Sequence, residues 1–253
     1  MNREKQDQMR WFLTDKVRKV VNWHDTDQFK GMDAPSIQKP PEPNKETILL
    51  DPITKLTGLG NIPLFKAISQ RKSRRAFMEK PLSMDELTFL LWAVQGIRNP
   101  TDPNARSNLR TVPSAGGRHP FETYIAALNV DGLAKGIYRY LPIDHCLVQL
   151  RLDENLGEKL TDGALGQGFC GRSAATFIWS AIPYRTEWRY DLAAYRVILM
   201  DIGHVCQNLY LACEGINAGT CAVGAYDQEA MDTLIGVDGK DEFTVYMAPV
   251  GKL

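Results

Sequence analysis

Val112-Pro113-Ser114-Ala115-Gly116-Gly117-Arg118-His119-Pro120 leads into Glu122-Thr123-Tyr124-Ile125-Ala126-Ala127-Leu128-Asn129. Proline, serine and paired glycines favour a tight loop, and glycine lets backbone approach a flat ligand closely. The same residues also suit a plain turn. The run 122–129, headed by Thr123, Tyr124 and Ile125, reads as a strand. A loop feeding a strand is the unit from which the fold can be read in both directions.

Downstream, 136–141 and 146–150 read as two strands joined by a turn at Pro142-Ile143-Asp144. Residues 154–164 suit a helix and 174–182 a buried strand. From Leu192 to Glu214, Tyr195, Ile198, Leu199, Ile202, Val205, Cys206, Leu209, Ala212 and Cys213 keep the three-to-four spacing of a core helix. A strand near 219–224, a helix at 228–235 and a strand at 242–249 follow. Upstream, 62–72 reads as a short helix. Ser83 stands as N-cap, with Glu86 at the capping-box position, before Leu87, Leu90, Leu91 and Val94. Strands and helices do not alternate strictly, so the class is α+β.

The first 61 residues differ from the rest. Residues 3–22 predict a helix with Met9, Phe12, Leu13, Val17, Val20 and Val21 on one side. Pro35, Pro40, Pro41, Pro43, Pro52 and Pro63 then break regular structure across 31–63. The expected organisation is therefore an N-terminal helix and proline-rich arm (1–61) before a compact body (62–253). An arm without elements of its own is disordered or laid across a surface. In a dimer that surface could be the partner's.

Lys+Arg and Asp+Glu are both 30, so the chain is neutral. Nucleic-acid readers normally carry a basic excess, which argues against that class. There is no run of about eighteen apolar residues, so no membrane span is expected. Met1-Asn2-Arg3-Glu4-Lys5 is too polar for a secretory signal. Five cysteines without a Cys-x-x-Cys pair fit reduced thiols and a cytoplasmic protein. Cys206 and Cys213 read as small core hydrophobes. Asp201, His204 and Asn208 share a helix face and read as a structural polar stripe. Nothing supports a metal site at His24 or His145.

Gly166-Gln167-Gly168-Phe169-Cys170-Gly171 matches a dinucleotide fingerprint. That motif works only after a strand and before a helix. Here the predicted order is reversed, so a glycine-rich loop is the better reading. Ser69-Gln70-Arg71-Lys72-Ser73-Arg74-Arg75-Ala76-Phe77 packs four cations and a hydroxyl at a helix end. It suits a solvated basic face or a phosphate grip, since Arg pairs with phosphate bidentately. Cys221-Ala222-Val223-Gly224-Ala225-Tyr226-Asp227 places small residues between a strand and a helix.

Arg-x-Ser-x-Arg-x-Phe, Pro-Ser-Ala-Gly-Gly-x-x-Pro and Gly-Ala-Tyr-Asp, in this order, resemble the FMN-binding pattern of the nitroreductase superfamily. Tyr184-Arg185-Thr186-Glu187-Trp188-Arg189-Tyr190, Ala194-Tyr195-Arg196 and Asp201–Leu209 look more specifically like its SagB-like branch. That branch includes the azoline dehydrogenases of thiazole and oxazole peptide pathways. The resemblance covers about 62–253. It implies a mainly antiparallel sheet flanked by helices, an interlocked homodimer, and FMN at the dimer interface.

By position, the resemblance assigns Arg71 and Ser73 to the phosphate. Arg75 falls near the ribityl chain and the N1/O2 edge, where a cation steadies charge on reduced flavin. Pro113, Ser114 and Ala115 would come from the second chain and line the ring. Gly117 stands where many relatives carry Asn. Gly224 and Ala225 match the place where a backbone N–H faces flavin N5. Lys252 is a candidate second phosphate contact. Arg189-Tyr190 occupies the place of a Lys-Tyr pair thought to handle the substrate proton in azoline dehydrogenases. Arg does not shed its proton, so Arg189 would act only as a charge and Tyr190 as the proton carrier. The implied activity is ping-pong reduction of a small organic acceptor, such as a nitro compound or quinone, driven by NADH or NADPH. The alternatives are azoline oxidation with oxygen reoxidising FMN, and a flavin-binding interaction protein with little turnover.

Overall fold

The computed structural model describes residues 3–98 and 109–253. Its helices are α1 (Arg3–Leu13), α2 (Leu64–Gln70), α3 (Met84–Gln95), α4 (Leu156–Gly163), α5 (Tyr184–Tyr190), α6 (Ala194–Glu214) and α7 (Gln228–Ile235). Its strands are β1 (Thr47–Leu49), β2 (Phe121–Ala127), β3 (Gly136–Leu141), β4 (Cys146–Leu152), β5 (Ala175–Ala181), β6 (Ala218–Thr220) and β7 (Phe243–Lys252). The strands form one sheet in the order β1-β4-β3-β2-β5-β7-β6, with antiparallel ladders throughout. The fold is α+β with a mainly antiparallel sheet, as the sequence implies. No described helix is long and apolar enough to cross a membrane.

Helices cover both faces of the sheet, and the alternation of side chains shows how. On β2 and β5, Phe121, Ile125, Ala127, Phe177 and Trp179 face the cluster built on α3 and α6. Tyr124, Ala126 and Ile178 face the second cluster, built on α4 and α7. This is the period of two expected of a strand. Every residue of β2 and β5 is buried. The predicted capping box starts α3: Ser83 accepts from the Glu86 amide, and Glu86 accepts from the Ser83 amide.

Several expectations are corrected. The helix predicted over 3–22 ends at Leu13, and a separate 3-10 turn follows at Asp15–Lys19. The Thr14 side chain accepts from the Lys16 amide, a local bond that competes with helix continuation. Only Val17 and Val21 of the predicted stripe are buried. On α6, Tyr195 and Leu199 are exposed rather than core, while Cys206 and Cys213 are buried. Burial pushes the Cys206 thiol up to about 12, the behaviour of an inert core thiol.

The arm lies across this chain's own sheet. β1 adds to the edge at β4. The Gln38 amide group donates to Asp144, the Lys39 backbone amide to Glu122, and the Lys39 amine to Glu242 at 2.6 Å. Arg110 donates to the Ile37 carbonyl, Arg118 to the Pro35 carbonyl and Arg139 to the Pro40 carbonyl. A proline-rich segment has few donors but keeps its carbonyls, and the body offers guanidiniums to meet them.

Candidate active site

The basic run starts where α2 stops. Arg71 caps that helix in an extended conformation, its amide still bonded to the Ala67 carbonyl. Ser73 then bridges Thr220 at the end of β6, and the Arg74 amide donates to the Thr220 carbonyl at 2.9 Å. This extended course turns alternate side chains opposite ways. Arg74 turns inward and pairs with Glu214. Arg71 and Arg75 stay outside, over the rings of Tyr210 (5.2 Å) and Phe169 (5.8 Å). Neither has a carboxylate partner among the described residues. Ser73 Oγ and the Tyr210 hydroxyl lie 2.9 Å apart, and Tyr210 also accepts from the Ala222 amide.

The glycine loop is pinned from α6. Asp201 Oδ2 accepts from Ser114 Oγ at 2.7 Å and from the Ala115 amide at 3.0 Å. Ser114 Oγ in turn accepts from the His119 amide. Gly116 and Gly117 both have φ of 61°, which glycine adopts at no steric cost. Burial raises the Asp201 pKa, against the pull of its two donors and of His204. Asn208 donates to the Ala93 and Thr111 carbonyls. Asp201 and Asn208 therefore do the structural work expected of the polar stripe.

The end of α5 lies on this loop. A methyl at Gly116 would stand 2.8 Å from Arg189 Cδ and 2.9 Å from the Tyr190 hydroxyl. Asp191 then closes the helix with φ 46° and ψ −134°, a strained turn directly after Tyr190. Arg118 reaches from the loop to the Arg185 carbonyl and lies over the Trp188 ring at 4.8 Å. The sequence named Arg189 and Tyr190 and read Asp201 as structural, but it gave no role to Arg118 and did not show that Asp201 holds the glycine loop. A cation inside a glycine loop, and an acid on a helix with an apolar stripe, were the available signals.

Gly224 and Ala225 are exposed beyond β6, and a methyl at Gly224 would meet only the Tyr246 ring, at 3.7 Å. The Ala225 carbonyl accepts from Gln167 of the glycine-rich loop. That loop follows α4 and precedes β5, the reverse of a dinucleotide fingerprint. The Lys252 backbone meets the end of the basic run, its carbonyl accepting from the Met78 amide at 2.9 Å, but its side chain is engaged elsewhere. Its amine donates to Glu86 and to the Ile216 carbonyl, both at 2.6 Å. Arg75 and Phe169 border a cavity of about 960 Å³. Pro113, Ser114 and Gly117 border a different one, of about 450 Å³.

The model of the nitroreductase family matches residues 68–252, a stretch that contains every candidate residue above. The chain belongs to the nitroreductase family. It is 34% identical to a Methanocaldococcus jannaschii protein named as a nitroreductase, over 78% of this chain and 95% of the relative. A solved Anabaena variabilis structure named as a nitroreductase superposes with a TM-score of 0.68 at 24% identity. That match covers 89% of this chain and 46% of the other, so this nitroreductase-family chain spans about half of that length. A chain of the E. coli microcin synthetase McbBCD complex, solved with truncated pro-MccB17 bound, superposes with a TM-score of 0.60 at 18% identity. It covers 97% of this chain and 96% of that one, so the shared fold includes most of the N-terminal segment.

Proposed function

We propose that the chain is an FMN-dependent oxidoreductase that takes electrons from NADH or NADPH and passes them to a small organic acceptor. Nitro compounds and quinones are the acceptors expected in vitro. The observation that carries this reading is the pair Arg71 and Arg75, two cations without carboxylate partners among the described residues, two positions either side of Ser73 in an extended segment. A phosphate monoester needs such a set of charge-assisted donors. Flavin, when bound, supplies the two-electron store.

Arg71 and Ser73 hold the phosphate in this reading, and Arg75 places its charge beside the ring. Pro113, Ser114 and Ala115 of a second protomer line the ring, and Gly117 offers backbone only. Gly224 and Ala225 leave an open backbone edge where the donor and acceptor exchange. Lys252, held by Glu86, keeps a structural place. Two features support a homodimer. Arg75 and the glycine loop border different cavities within one chain. Apolar side chains also stand exposed on α2 (Leu64, Phe65, Ile68) and α6 (Tyr195, Leu199, Met200), the kind of surface an obligate interface covers. Tyr190 gives the acceptor its proton, and Arg189, always charged, steadies the developing anion. Buried free cysteines suit a cytoplasmic setting.

A second reading is an azoline dehydrogenase of a peptide pathway, with oxygen as the final acceptor. The near full-length likeness in fold to the microcin synthetase chain favours it. One experiment separates the two: the absorbance spectrum of the purified protein before and after anaerobic NADH or NADPH. Flavin bands that bleach support the reductase. Bands that persist support the second reading. Absence of flavin after added FMN refutes both.

A further inference from the structure

We infer that Arg118 is a positioning residue of this site: its guanidinium locks the glycine loop to α5 and to the N-terminal arm, and so sets where Tyr190 stands. The inference rests on the reading that Tyr190 serves the acceptor.

A buried charge is costly unless its donors are met. Arg118 is buried, and no carboxylate pairs with it among the described residues. Its Nε donates to the Arg185 carbonyl at 2.9 Å, and its NH2 donates to the Pro35 carbonyl at 2.9 Å. Its plane lies over the Trp188 ring. Arg185 and Trp188 belong to α5, Pro35 to the arm, and Arg118 itself to the loop. One side chain thus ties three segments distant in sequence. Desolvation depresses its pKa, and the neighbouring Arg189 and Arg185 cations depress it further. A guanidinium kept in such surroundings is there for geometry.

The arm backs the same helix. The Trp188 indole donates to the Met32 carbonyl at 3.1 Å, and the Gln28 amide donates to the Trp188 carbonyl at 2.9 Å. The loop therefore has two anchors. Asp201 holds Ser114 and Ala115, and Arg118 holds the other half. Gly116, between them, carries Arg189 and Tyr190. Removing Arg118 takes away its links from the loop to the α5 backbone, to Trp188 and to the arm, and leaves the Asp201 anchor and the Arg185 side chain's bond to the His119 carbonyl in place. Lysine keeps the charge, but as a point donor it cannot span both carbonyls.

The test compares Arg118→Ala and Arg118→Lys in the full chain. Amide hydrogen exchange within 184–190 should quicken about tenfold or more, as loss of a charge-assisted bond predicts. Flavin content and reduction by NAD(P)H should hold. Reoxidation by the acceptor should fall about a hundredfold, the scale for a reacting group misplaced by an ångström. Added guanidinium ion should restore part of that loss in the alanine variant. Arg139→Met, which releases the arm from β3, should lower stability without this split between half-reactions. Unchanged exchange at 184–190 overturns the lock. Faster exchange with unchanged reoxidation overturns the positioning role. Should the alanine variant fail to fold, the lysine variant decides by the same two readings. Wild-type protein without flavin would defeat the functional reading alone, and the exchange comparison would still decide the lock.

Discussion

Ser114 and Asp201 are joined by a 2.7 Å hydrogen bond that anchors the glycine loop to α6, and the Ala115 amide shares the same carboxylate oxygen. Asp201→Ala leaves two half-buried donors without this acceptor, at a cost of about 1 kcal/mol or more in urea unfolding. Asp201→Asn keeps one oxygen for both donors and should cost less. The pH dependence follows from burial, which raises the Asp201 pKa. A raised acid pKa means that the folded state binds the proton better than the unfolded state. That contribution is full below about pH 4, the ordinary carboxylate value, and fades as pH rises through the raised one. Wild type should therefore lose stability relative to Asp201→Asn across that window. Parallel pH profiles would refute the assignment.

Gly116→Ala tests the contact between loop and helix. The positive φ alone costs an alanine about 1–2 kcal/mol. The new methyl would also press on Arg189 and Tyr190 at under 3 Å. Thermal unfolding should report the strain. Stopped-flow kinetics should show slower acceptor turnover, with reduction by NAD(P)H retained. A variant with normal acceptor turnover would mean that Tyr190 can move away freely.

Much of this was legible in the sequence because it rests on local patterns. The capping box at Ser83 and Glu86, the core residues of α6 and the run of strands from β2 to β5 all obey spacing rules that act within a few residues. The basic run and the glycine loop could be found by composition. Their supports could not. Asp201 lies 87 positions from Ser114, and Arg118 lies 67 from Arg185. No local rule reports such pairs. The break in the first helix turned on one threonine hydroxyl, and Tyr195 and Leu199 fit a core stripe by spacing yet face outward. Lys252 was placed by position along the chain, but an unpredicted partner, Glu86, holds it.

Arg71→Ala with Arg75→Ala should remove FMN from the purified protein and leave it folded. Arg71 is half-buried and Arg75 exposed, and both guanidiniums rest on aromatic faces, contacts of about 0.5–1 kcal/mol each. Circular dichroism should be unchanged while the flavin bands disappear. Full flavin content in the double variant would refute the phosphate grip. Arg74→Ala should behave differently. It breaks the pair with Glu214, so stability falls as well.

Glu242 tests the arm. Its carboxylate accepts from Lys39, from the buried Tyr124 hydroxyl at 2.8 Å and from Ser180 Oγ at 2.6 Å. Burial first, and then this acid, push the Tyr124 pKa far up, so the phenol remains a donor at any ordinary pH. Glu242→Ala leaves both hydroxyls without their acceptor and breaks the ion pair with Lys39, whose amine keeps the Tyr124 hydroxyl at 3.4 Å. The loss should be roughly 2 kcal/mol or more. Proteolysis within 31–45 should quicken, because the arm loses an ion pair that joins it to the sheet. An arm as resistant as wild type would show that its carbonyl bonds suffice.

Tyr190→Phe separates proton delivery from hydride delivery. The hydroxyl of Tyr190 lies against Gly116, at the boundary between α5 and the glycine loop. Arg189, one residue before it, sits over its ring at 5.6 Å and cannot serve as a base. Hydride transfer from a nicotinamide needs no proton from the protein, so reduction by NADH or NADPH should stay nearly intact. An acceptor that gains a proton with its electrons should be reduced more slowly, by about 10²–10⁴-fold where general acid catalysis dominates. An acceptor that takes electrons alone should be indifferent. Stopped-flow measurement of each half-reaction, with both kinds of acceptor, gives the comparison. Equal losses in both half-reactions would place Tyr190 in flavin binding rather than in proton transfer.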